Sequence, residues 1–585
     1  MYDVLITNGT IVDGTGKPAF RGEVAIKGGR IAKIVNTERA ERLDQGAAEI
    51  IDANGALVTP GWVDTHSHMD GQATWDPYCS PANYHGITTL VMGNCGIGFA
   101  PCVRSEEAHQ QLIEVVEDVE DIPGTALAEG LTWNWESFPE YLDALDRMPR
   151  AVNIAAQVPH CAIRTYVMGE RGANNERATP EDVTRMADLV AEGIEAGAVG
   201  FTTSRTELHK TRNGLSMPGT YSEQDELFGI GRKLGELGKG FYGMVSDWED
   251  DAWREEMEWM KRLSIENNCR FNFVLFYQTE EQWRRVQEQL DFVARANREG
   301  AQLVAHVGAR PVNVLMSYHG TVHPFFLHQN FAPLVGLSPE ERIERLKDPA
   351  VRAAILAEPT PSLGIEVADR MMTDFDLMFE LGEHPNYEQP ADQSIAAKAA
   401  AKGVTPQEYA YDALLERDGQ AMLYFPFMGY DQSNLDRQLE MMRNDNAVIS
   451  LADTGAHCGV LCDASMPTFL LTHYVRDRAG ETLGLEEAVK MHTHDTARVV
   501  SMEDRGTLEP GMRADINVID FNALTLHAPE VIYDLPAGGK RIVQKATGYR
   551  YTLVAGEVIM KDGVATNAMP GSLVRGAQPA PGIAA

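Results

Sequence analysis

The sequence predicts an α/β protein: a (β/α)8, TIM-like barrel with a small β-sandwich built from both termini and a helical insertion. Three observations predict this fold. Short alternating strands occur at both ends of the chain, eight apolar runs alternate with helical stretches in the middle, and a helix-rich stretch interrupts this rhythm before the eighth run. With 585 residues, 44% of them hydrophobic, the chain is long enough to bury the core of such a barrel.

The two ends of the chain have the pattern of β-structure. Near the start, "YDVLITNGTIVDG", "RGEVAIKGGRIAKIV" and "AEIIDANGALVTPG" are short alternating runs broken by Asn-Gly or Gly-Gly turns. A similar pattern returns in "GTLEPGMRADINVIDFN" and "YRYTLVAGEVIMKDGVAT". We predict that residues 1–59 and 505–565 form one β-sandwich domain; the alternative is two unrelated β segments.

The middle of the chain, residues 60–504, is predicted to be the barrel. Its strands are the run before Gly61-Trp62-Val63-Asp64 and then "GITTLVMGNCG", "AVNIAAQVPHC", "GAVGFTTSR", "GFYGMVSDW", "RFNFVLFYQ", "AQLVAHVGA" and "AVISLADTG". Helices lie between several of them, such as "TPEDVTRMADLVAEGIEAG", with Thr179 as N-cap and Gly197 after its end. Residues 311–440 form the predicted helical insertion, a candidate lid. In this fold, chemistry takes place at the carboxyl ends of the strands.

The composition of the chain excludes several classes of binding partner. The net charge of −34, from 51 basic and 85 acidic residues, argues against nucleic acid and against an anionic membrane surface. The seven cysteines are sparse and scattered, which is typical of a reducing compartment. The strand-like pattern of the first residues predicts no secretory leader, and the sequence contains no apolar run of membrane-spanning length. We predict a cytoplasmic protein that acts on a small-molecule substrate and forms a homo-oligomer, with no nucleic-acid or membrane partner.

The segment "GWVDTHSHMD" contains the first candidate metal ligands. His66 and His68 lie two residues apart at the end of the first strand, so their side chains share one face, and neutral imidazoles bind zinc-like ions well. A structural histidine pair is the alternative. Asp453, in "AVISLADTGAH", ends the last strand, which is a neighbour of the first in a closed barrel. Two histidines and one carboxylate leave a position open for water, and Asp453 is the candidate general base.

Cys95 follows the second strand in "TTLVMGNCGIGFAP". A cysteine between small residues at a strand end is a candidate thiolate ligand, because a nearby cation lowers its pKa. The alternative is a small buried filler, the commonest environment of a cysteine.

These segments, with "VLITNGTIVDGTG", "GAVGFTTSR" and "RGTLEPGMRADINVID", resemble the amidohydrolase superfamily and its N-acyl-D-amino-acid deacylase (D-aminoacylase) branch. The resemblance covers nearly the whole chain apart from the insertion. It implies amide hydrolysis of N-acylated D-amino acids by a zinc site in a TIM barrel beside a β-sandwich. It also implies that His66 and His68 are first-strand ligands, Cys95 is the cysteine ligand and Asp453 is the catalytic aspartate.

The chain departs from that pattern at the fifth and sixth strands, where the family has one histidine each. "GFYGMVSDW" and "RFNFVLFYQ" contain none; Asp247 and Tyr277 are the available substitutes, and Gln278 lies near the position of the family's basic, carboxylate-binding residue. Either the tight zinc site is rebuilt from other residues, or only the site at His66, His68 and Asp453 remains. The other candidate side chains near strand ends are possible additional ligands or catalytic groups, His306, His160, His209 and His457, and possible substrate-binding groups, Arg205 and Arg310. For each, a structural role is the alternative.

The sequence therefore predicts a metal-dependent hydrolase of an amide bond, most simply of an N-acyl (D-)amino acid or a related amide. Zinc, or another divalent transition metal, as one or two ions, would activate the water, and Asp453 would move its proton. Two alternatives stay open at this point. One is a lyase or decarboxylase that uses a single metal, and the other is a barrel that has lost catalysis and serves as a binding or scaffold protein.

Overall fold

The computed structural model describes residues 1–39, 42–43, 46–211, 213–248, 252–364, 366–431, 434–450 and 452–582. Eight segments of parallel strand form the barrel. They are Trp62–Ser67, Ile87–Met92, Asn153–Ala156 with its continuation Val158–Pro159, Phe201–Arg205, Tyr242–Ser246, Phe271–Val274, Leu303–Val307 and Ala447–Ile449. The predicted barrel is confirmed.

The strands pair in chain order around the barrel. The third strand is interrupted at Gln157: its first part pairs with the second strand and its last two residues pair with the fourth. After the eighth strand, Thr454 makes a parallel bridge to Ser67, and its carbonyl accepts a 2.8 Å hydrogen bond from the backbone N–H of His68. This contact brings the end of the last strand beside the end of the first.

Helices connect successive strands, and the local sequence explains their limits. Pro180–Ala196 begins at Thr179, whose hydroxyl accepts from the backbone N–H of Asp182 while the Asp182 carboxylate accepts from Thr179, a capping box. The helix ends at Gly197, whose φ of +118° is a backbone conformation that favours glycine. The α-helices are Glu106–Glu120, Gly124–Gly130, Phe138–Asp146, His160–Met168, Glu170–Ala173, Pro180–Ala196, Gln224–Leu237, Ala252–Asn267, Glu280–Arg298, Pro339–Leu346, Pro349–Leu356, Glu366–Thr373, Ile395–Lys402, Pro406–Leu415, Asp436–Met442, Met466–Phe469, Leu485–Lys490 and Thr496–Val499.

The two termini share one nine-stranded sheet. Leu57–Pro60, from the first part of the chain, pairs antiparallel with Ile516–Ile519, from the last part. Its other strands are Tyr2–Ile11, Phe20–Lys27, Arg30–Asn36, Ala47–Asp52, Tyr549–Val554, Glu557–Lys561 and Val564–Ala565. Two antiparallel strand pairs accompany it, Thr525–Leu526 with Ala546–Thr547 and, within that interval of the chain, the hairpin Glu530–Leu535 with Gly539–Val543. The β domain from both termini is thus present, while the exact domain boundaries stay a prediction.

The insertion before the eighth strand contains helices, as expected, and a small antiparallel sheet that the sequence did not reveal. In that sheet Met422–Met428 lies between Val312–Met316 and Phe379–Leu381. The insertion has its own buried core, which includes Tyr318 and Phe325. Among the helices of the described ranges, none is long and apolar enough to cross a membrane.

Candidate active site

The first barrel strand places His66 and His68 on one face at its carboxyl end. Both imidazoles are buried, with ring centroids 5.5 Å apart. Asp64, on the same face, fixes the strand end: its carboxylate accepts from the backbone N–H of His66 at 3.1 Å and from the Thr454 hydroxyl at 2.6 Å. The strand is therefore held to the segment that carries Asp453.

A tight turn after the second strand directs Cys95 towards the histidines. Gly93 and Cys95 both have positive φ, +83° and +54°, and the Asn94 side-chain amide donates to the carbonyls of Ser67 and Val91 at 3.2 and 2.9 Å. These bonds hold the turn against the first two strands. As a result, the Cys95 Sγ lies 3.3 Å from His66 Nε2.

Asp453 completes the cluster from the end of the last strand, where sequence analysis expected it. Its Oδ1 lies 3.1 Å from His66 Nε2 and 3.6 Å from His68 Nε2. One ligand atom each from His66, His68 and Cys95 lies within 4.8 Å of the others. Ligand bonds of about 2.0–2.3 Å around a tetrahedral zinc give ligand–ligand separations of about 3.3–3.8 Å. His66, His68 and Cys95 therefore fit a shared zinc-like ion in donor type and lie close to that spacing, and the Asp453 carboxylate stands beside the two histidines.

The charges in the cluster support each other. Burial alone would lower the pKa of His66, but Cys95 and Asp453 raise it to about 10. Burial likewise opposes the charged forms of Cys95 and Asp453, but His66 and His68 lower the pKa of the thiol and hold that of the carboxyl well below its usual range. In the metal-free protein the cluster thus favours imidazolium, thiolate and carboxylate. The thiolate and the carboxylate are already in the form that binds a metal, whereas His66 must release a proton before it can bind one.

The cluster lies at the bottom of a cavity of about 310 Å³ at the mouth of the barrel. Most of its lining is apolar, and the polar lining residues besides the four candidate ligands are Glu120, Thr206, His209 and His457. The insertion supplies part of the wall. The residues it contributes are Val312, Val314, Ala368, Met371, Phe427 and Met428.

The fifth and sixth strands present valines to this cavity, Val245 and Val274. The substitutes that sequence analysis considered have other partners. Asp247 accepts from the Thr206 hydroxyl and from the backbone N–H of Glu207, the latter at 2.7 Å. Tyr277 donates to the Gly429 carbonyl at 3.1 Å. Neither lines the cavity, so the residues described here do not rebuild the family's tight site from these strands.

The four additional histidines divide into two pairs. His209 and His457 line the cavity, and burial lowers the pKa of His209 to about 4. His160 bonds to Thr203 and Glu226, both at 2.8 Å, on the far side of the fourth strand. His306 borders a void of about 20 Å³ next to His66 and Cys95, and burial, with His66, lowers its pKa to about 3. A ligand or catalytic role for these four stays a prediction.

The two candidate arginines are held in ion pairs. Arg205 meets Glu256, with its Nε 2.9 Å from Oε2 and an Nη 2.8 Å from Oε1. Arg310 is fully buried, and its Nη2 lies 3.0 Å from Asp463 Oδ1 and 2.9 Å from both the Cys462 carbonyl and the Ser465 hydroxyl. Neither side chain lines the cavity. The structure therefore does not bring them to the candidate ligands.

Glu120 is a cavity residue that sequence analysis missed. It is the last residue of Glu106–Glu120, it is buried, and its Oε1 lies 3.3 Å from His68 Nδ1 while its Oε2 lies 3.7 Å from His457 Nε2. Such a carboxylate orients a ligand histidine through the nitrogen that does not face the metal. In the sequence it stands in a run of acidic residues at a helix end, and nothing there distinguishes it from its solvated neighbours.

Comparison with known proteins shows which family and which relatives the chain resembles. The amidohydrolase family model matches residues 49–560. D-aminoacylase of Alcaligenes xylosoxydans xylosoxydans is 34% identical over 202 residues, which cover 34% of this chain and 37% of that protein. N-acyl-D-glutamate deacylase of the same organism is 27% identical over 533 residues, which cover 89% of this chain and 88% of that protein.

The fold has a solved counterpart in the N-acyl-D-glutamate deacylase from Bordetella bronchiseptica, a structure complexed with zinc and a phosphonate inhibitor that mimics the tetrahedral intermediate. The TM-score is 0.64 at 24% identity, with 98% of this chain and 99% of that chain covered. The family match spans most of the chain and includes every candidate ligand. The chain therefore belongs to the amidohydrolase family, in its D-aminoacylase-like branch, and is a hydrolase of carbon–nitrogen bonds in amides.

Proposed function

We propose that the protein hydrolyses the amide of an N-acyl (D-)amino acid or a related amide, and that His66, His68 and Cys95, with Asp453 beside them, hold one divalent transition metal, zinc in the first place, with a position left open for water. The convergence of the His66, His68 and Cys95 donors within 4.8 Å of one another, with the Asp453 carboxylate 3.1 Å from His66, carries the proposal. The named relatives, which are deacylases of N-acyl-D-amino acids, supply the substrate class.

The roles of the side chains follow from their positions. When bound, the ion supplies Lewis-acid chemistry at the substrate carbonyl and at the attacking water. Asp453 faces the cavity, so its carboxylate can accept the proton of that water and pass it to the leaving amine. His66 and His68 orient Asp453 through its Oδ1. The apolar walls exclude bulk water, which strengthens these interactions.

Metal analysis with reconstitution tests the proposal. We expect purified protein to bind zinc in a stoichiometric amount, chelated protein to lose amide hydrolysis, and added zinc to restore it. His66→Ala should lose both zinc and activity. His494→Ala is the matched control, because His494 bonds to Asp495 outside the cavity and should keep both. Absence of a bound transition metal, together with unchanged activity in His66→Ala, would refute the proposal.

A further inference from the structure

One wall of the cavity is a compact apolar surface directly beside Cys95. Val245, Val274, Val312 and Leu461 form a buried cluster, and Cys95 packs against it. Two of these residues stand at the ends of the fifth and sixth strands. When the scissile amide of a substrate reaches the proposed metal, one end of that substrate therefore contacts the apolar cluster.

The electrostatics of the cavity are unfavourable for an anion. Among the described residues that line it there is no lysine or arginine, while Glu120 and Asp453 are both acidic. Arg205 and Arg310, the cations nearest to strand ends in the sequence, are paired with Glu256 and Asp463. A free carboxylate placed here loses its water and gains no cationic partner, which is a large cost for a buried charge.

A divalent ion at the proposed site does not remove that penalty. The Cys95 thiolate and the Asp453 carboxylate together offset its two positive charges, and His66 and His68 are neutral when they bind a metal. Glu120, 3.3 Å from His68, then adds acidic character next to the site. The loaded site has no positive charge left over to attract a substrate carboxylate.

From the apolar wall and the absence of lysine and arginine among the described lining residues, we infer that the substrate is a neutral N-acyl amide with an apolar acyl chain, whose amine part carries no free carboxylate. An N-acyl amino-acid amide or ester and an N-acyl amine belong to this class. The inference rests on the proposed function and narrows its substrate class to the related amides that have no free carboxylate. The acyl chain lies against the cluster beside Cys95, and the blocked amine part faces the wider mouth.

A matched substrate pair tests the inference. N-hexanoyl-D-leucinamide and N-hexanoyl-D-leucine share the acyl group and the scissile amide and differ in one charge. With zinc-loaded protein we expect kcat/KM to be at least about tenfold higher for the amide, since one desolvated charge is worth at least about one power of ten. Among neutral substrates, lengthening the acyl chain from acetyl to hexanoyl should raise kcat/KM by up to about fourfold per CH₂. Equal or better turnover of the free acid would overturn the inference.

A new cation at the rim should reverse the preference. Leu208 lines the cavity and is 41% exposed, so Leu208→Arg adds a positive charge with little risk to folding. We expect this variant to raise the ratio of kcat/KM for the free acid to kcat/KM for the amide several-fold. Leu215→Arg is the matched control, because Leu215 is 55% exposed and does not line the cavity. An equal response of both variants would contradict a role for cavity charge.

Failure of the proposed function is separable from failure of the inference. If neither compound is hydrolysed, the proposed function fails, and the dissociation constants of the same pair on zinc-loaded protein, measured by calorimetry, decide the inference instead. Tighter binding of the amide by about tenfold supports a neutral ligand. Equal binding, or tighter binding of the acid, overturns it.

Discussion

The charge state of His66 in the metal-free protein can be predicted from its neighbours. With a pKa of about 10, His66 is about 99% protonated at pH 8, whereas an ordinary imidazole with a pKa of about 6.5 would be about 3% protonated. Cys95 is the largest of the groups that raise this pKa, ahead of Asp453. Cys95→Ala should therefore lower the pKa of His66, so that the metal-free variant releases this proton at a lower pH than the wild-type protein.

Nuclear magnetic resonance of histidine-labelled, metal-free protein between pH 6 and 9.5 measures this state directly, and the His66→Gln variant assigns the signal. Cys161→Ala serves as the control, because Cys161 is buried elsewhere and burial raises its pKa to about 12, so it stays a neutral thiol. A His66 signal that titrates near 6.5 in the wild-type protein, or one that Cys95→Ala leaves unchanged, would refute the reasoning.

The same shift fixes the direction of a stability change. Because the pKa of His66 is higher in the folded than in the unfolded chain, its contribution to stability is complete below about pH 6.5 and is lost as the pH rises towards 10. The slope is at most about 1.4 kcal/mol per pH unit for one proton. The lowered pKa of Cys95 opposes this change up to its ordinary value of 9.0, and the raised pKa of His68 adds to it. Metal-free protein should therefore melt at a lower temperature at pH 9.5 than at pH 7, and zinc, which replaces the protons on the histidines, should reduce this difference.

Three further changes test other parts of the site. Glu120→Gln should weaken zinc binding by about 10- to 100-fold in a competition titration, because it removes the carboxylate behind His68, while Glu114→Gln, exposed on the same helix, should not. Gly93→Ala should lower the free energy of unfolding by more than about 1 kcal/mol, since its φ is +83° and a Cβ would stand 2.5 Å from a backbone carbonyl oxygen. Gly214→Ala is the control, because Gly214 has a φ of +78° but open space around it, so this variant measures the destabilisation caused by the backbone conformation alone. Arg205→Met should lower the melting temperature and leave KM unchanged, and a raised KM would instead make it a substrate-binding residue.

The barrel and its candidate ligands could be predicted from the sequence, because both follow from the repeated alternation of strands and helices. Residues at the carboxyl ends of parallel strands converge whatever their distance in the chain, so His66, Cys95 and Asp453 were expected to meet, and the bridge at Thr454 shows how the first and last strands are joined. Strand periodicity and turn residues were enough to locate these ends. The same reasoning located the helix that Thr179 caps.

Contacts between two side chains that are far apart in the chain could not be predicted from the sequence. Arg205 and Arg310 were possible substrate-binding groups, with a structural role as the alternative, and the sequence has no signature of the ion pairs with Glu256 and Asp463 that hold them. The antiparallel sheet in the insertion was also missed. Its central strand, Met422–Met428, contains a proline and is almost wholly apolar, so it shows no alternation to distinguish it from a buried helix.

The valines at the fifth and sixth strand ends connect the metal count with the substrate. Val245 and Val274 lie at the ends of the fifth and sixth strands, which contain no histidine where the family resemblance implies one each, and both line the cavity. Both valines belong to the hydrocarbon surface beside Cys95. The strand ends that lack imidazole ligands are thus the ones that form the apolar wall. In the proposed site a single ion would work in a drier environment, where Asp453 and Glu120 act more strongly on any charge that develops and where a neutral substrate is the one that enters at least cost.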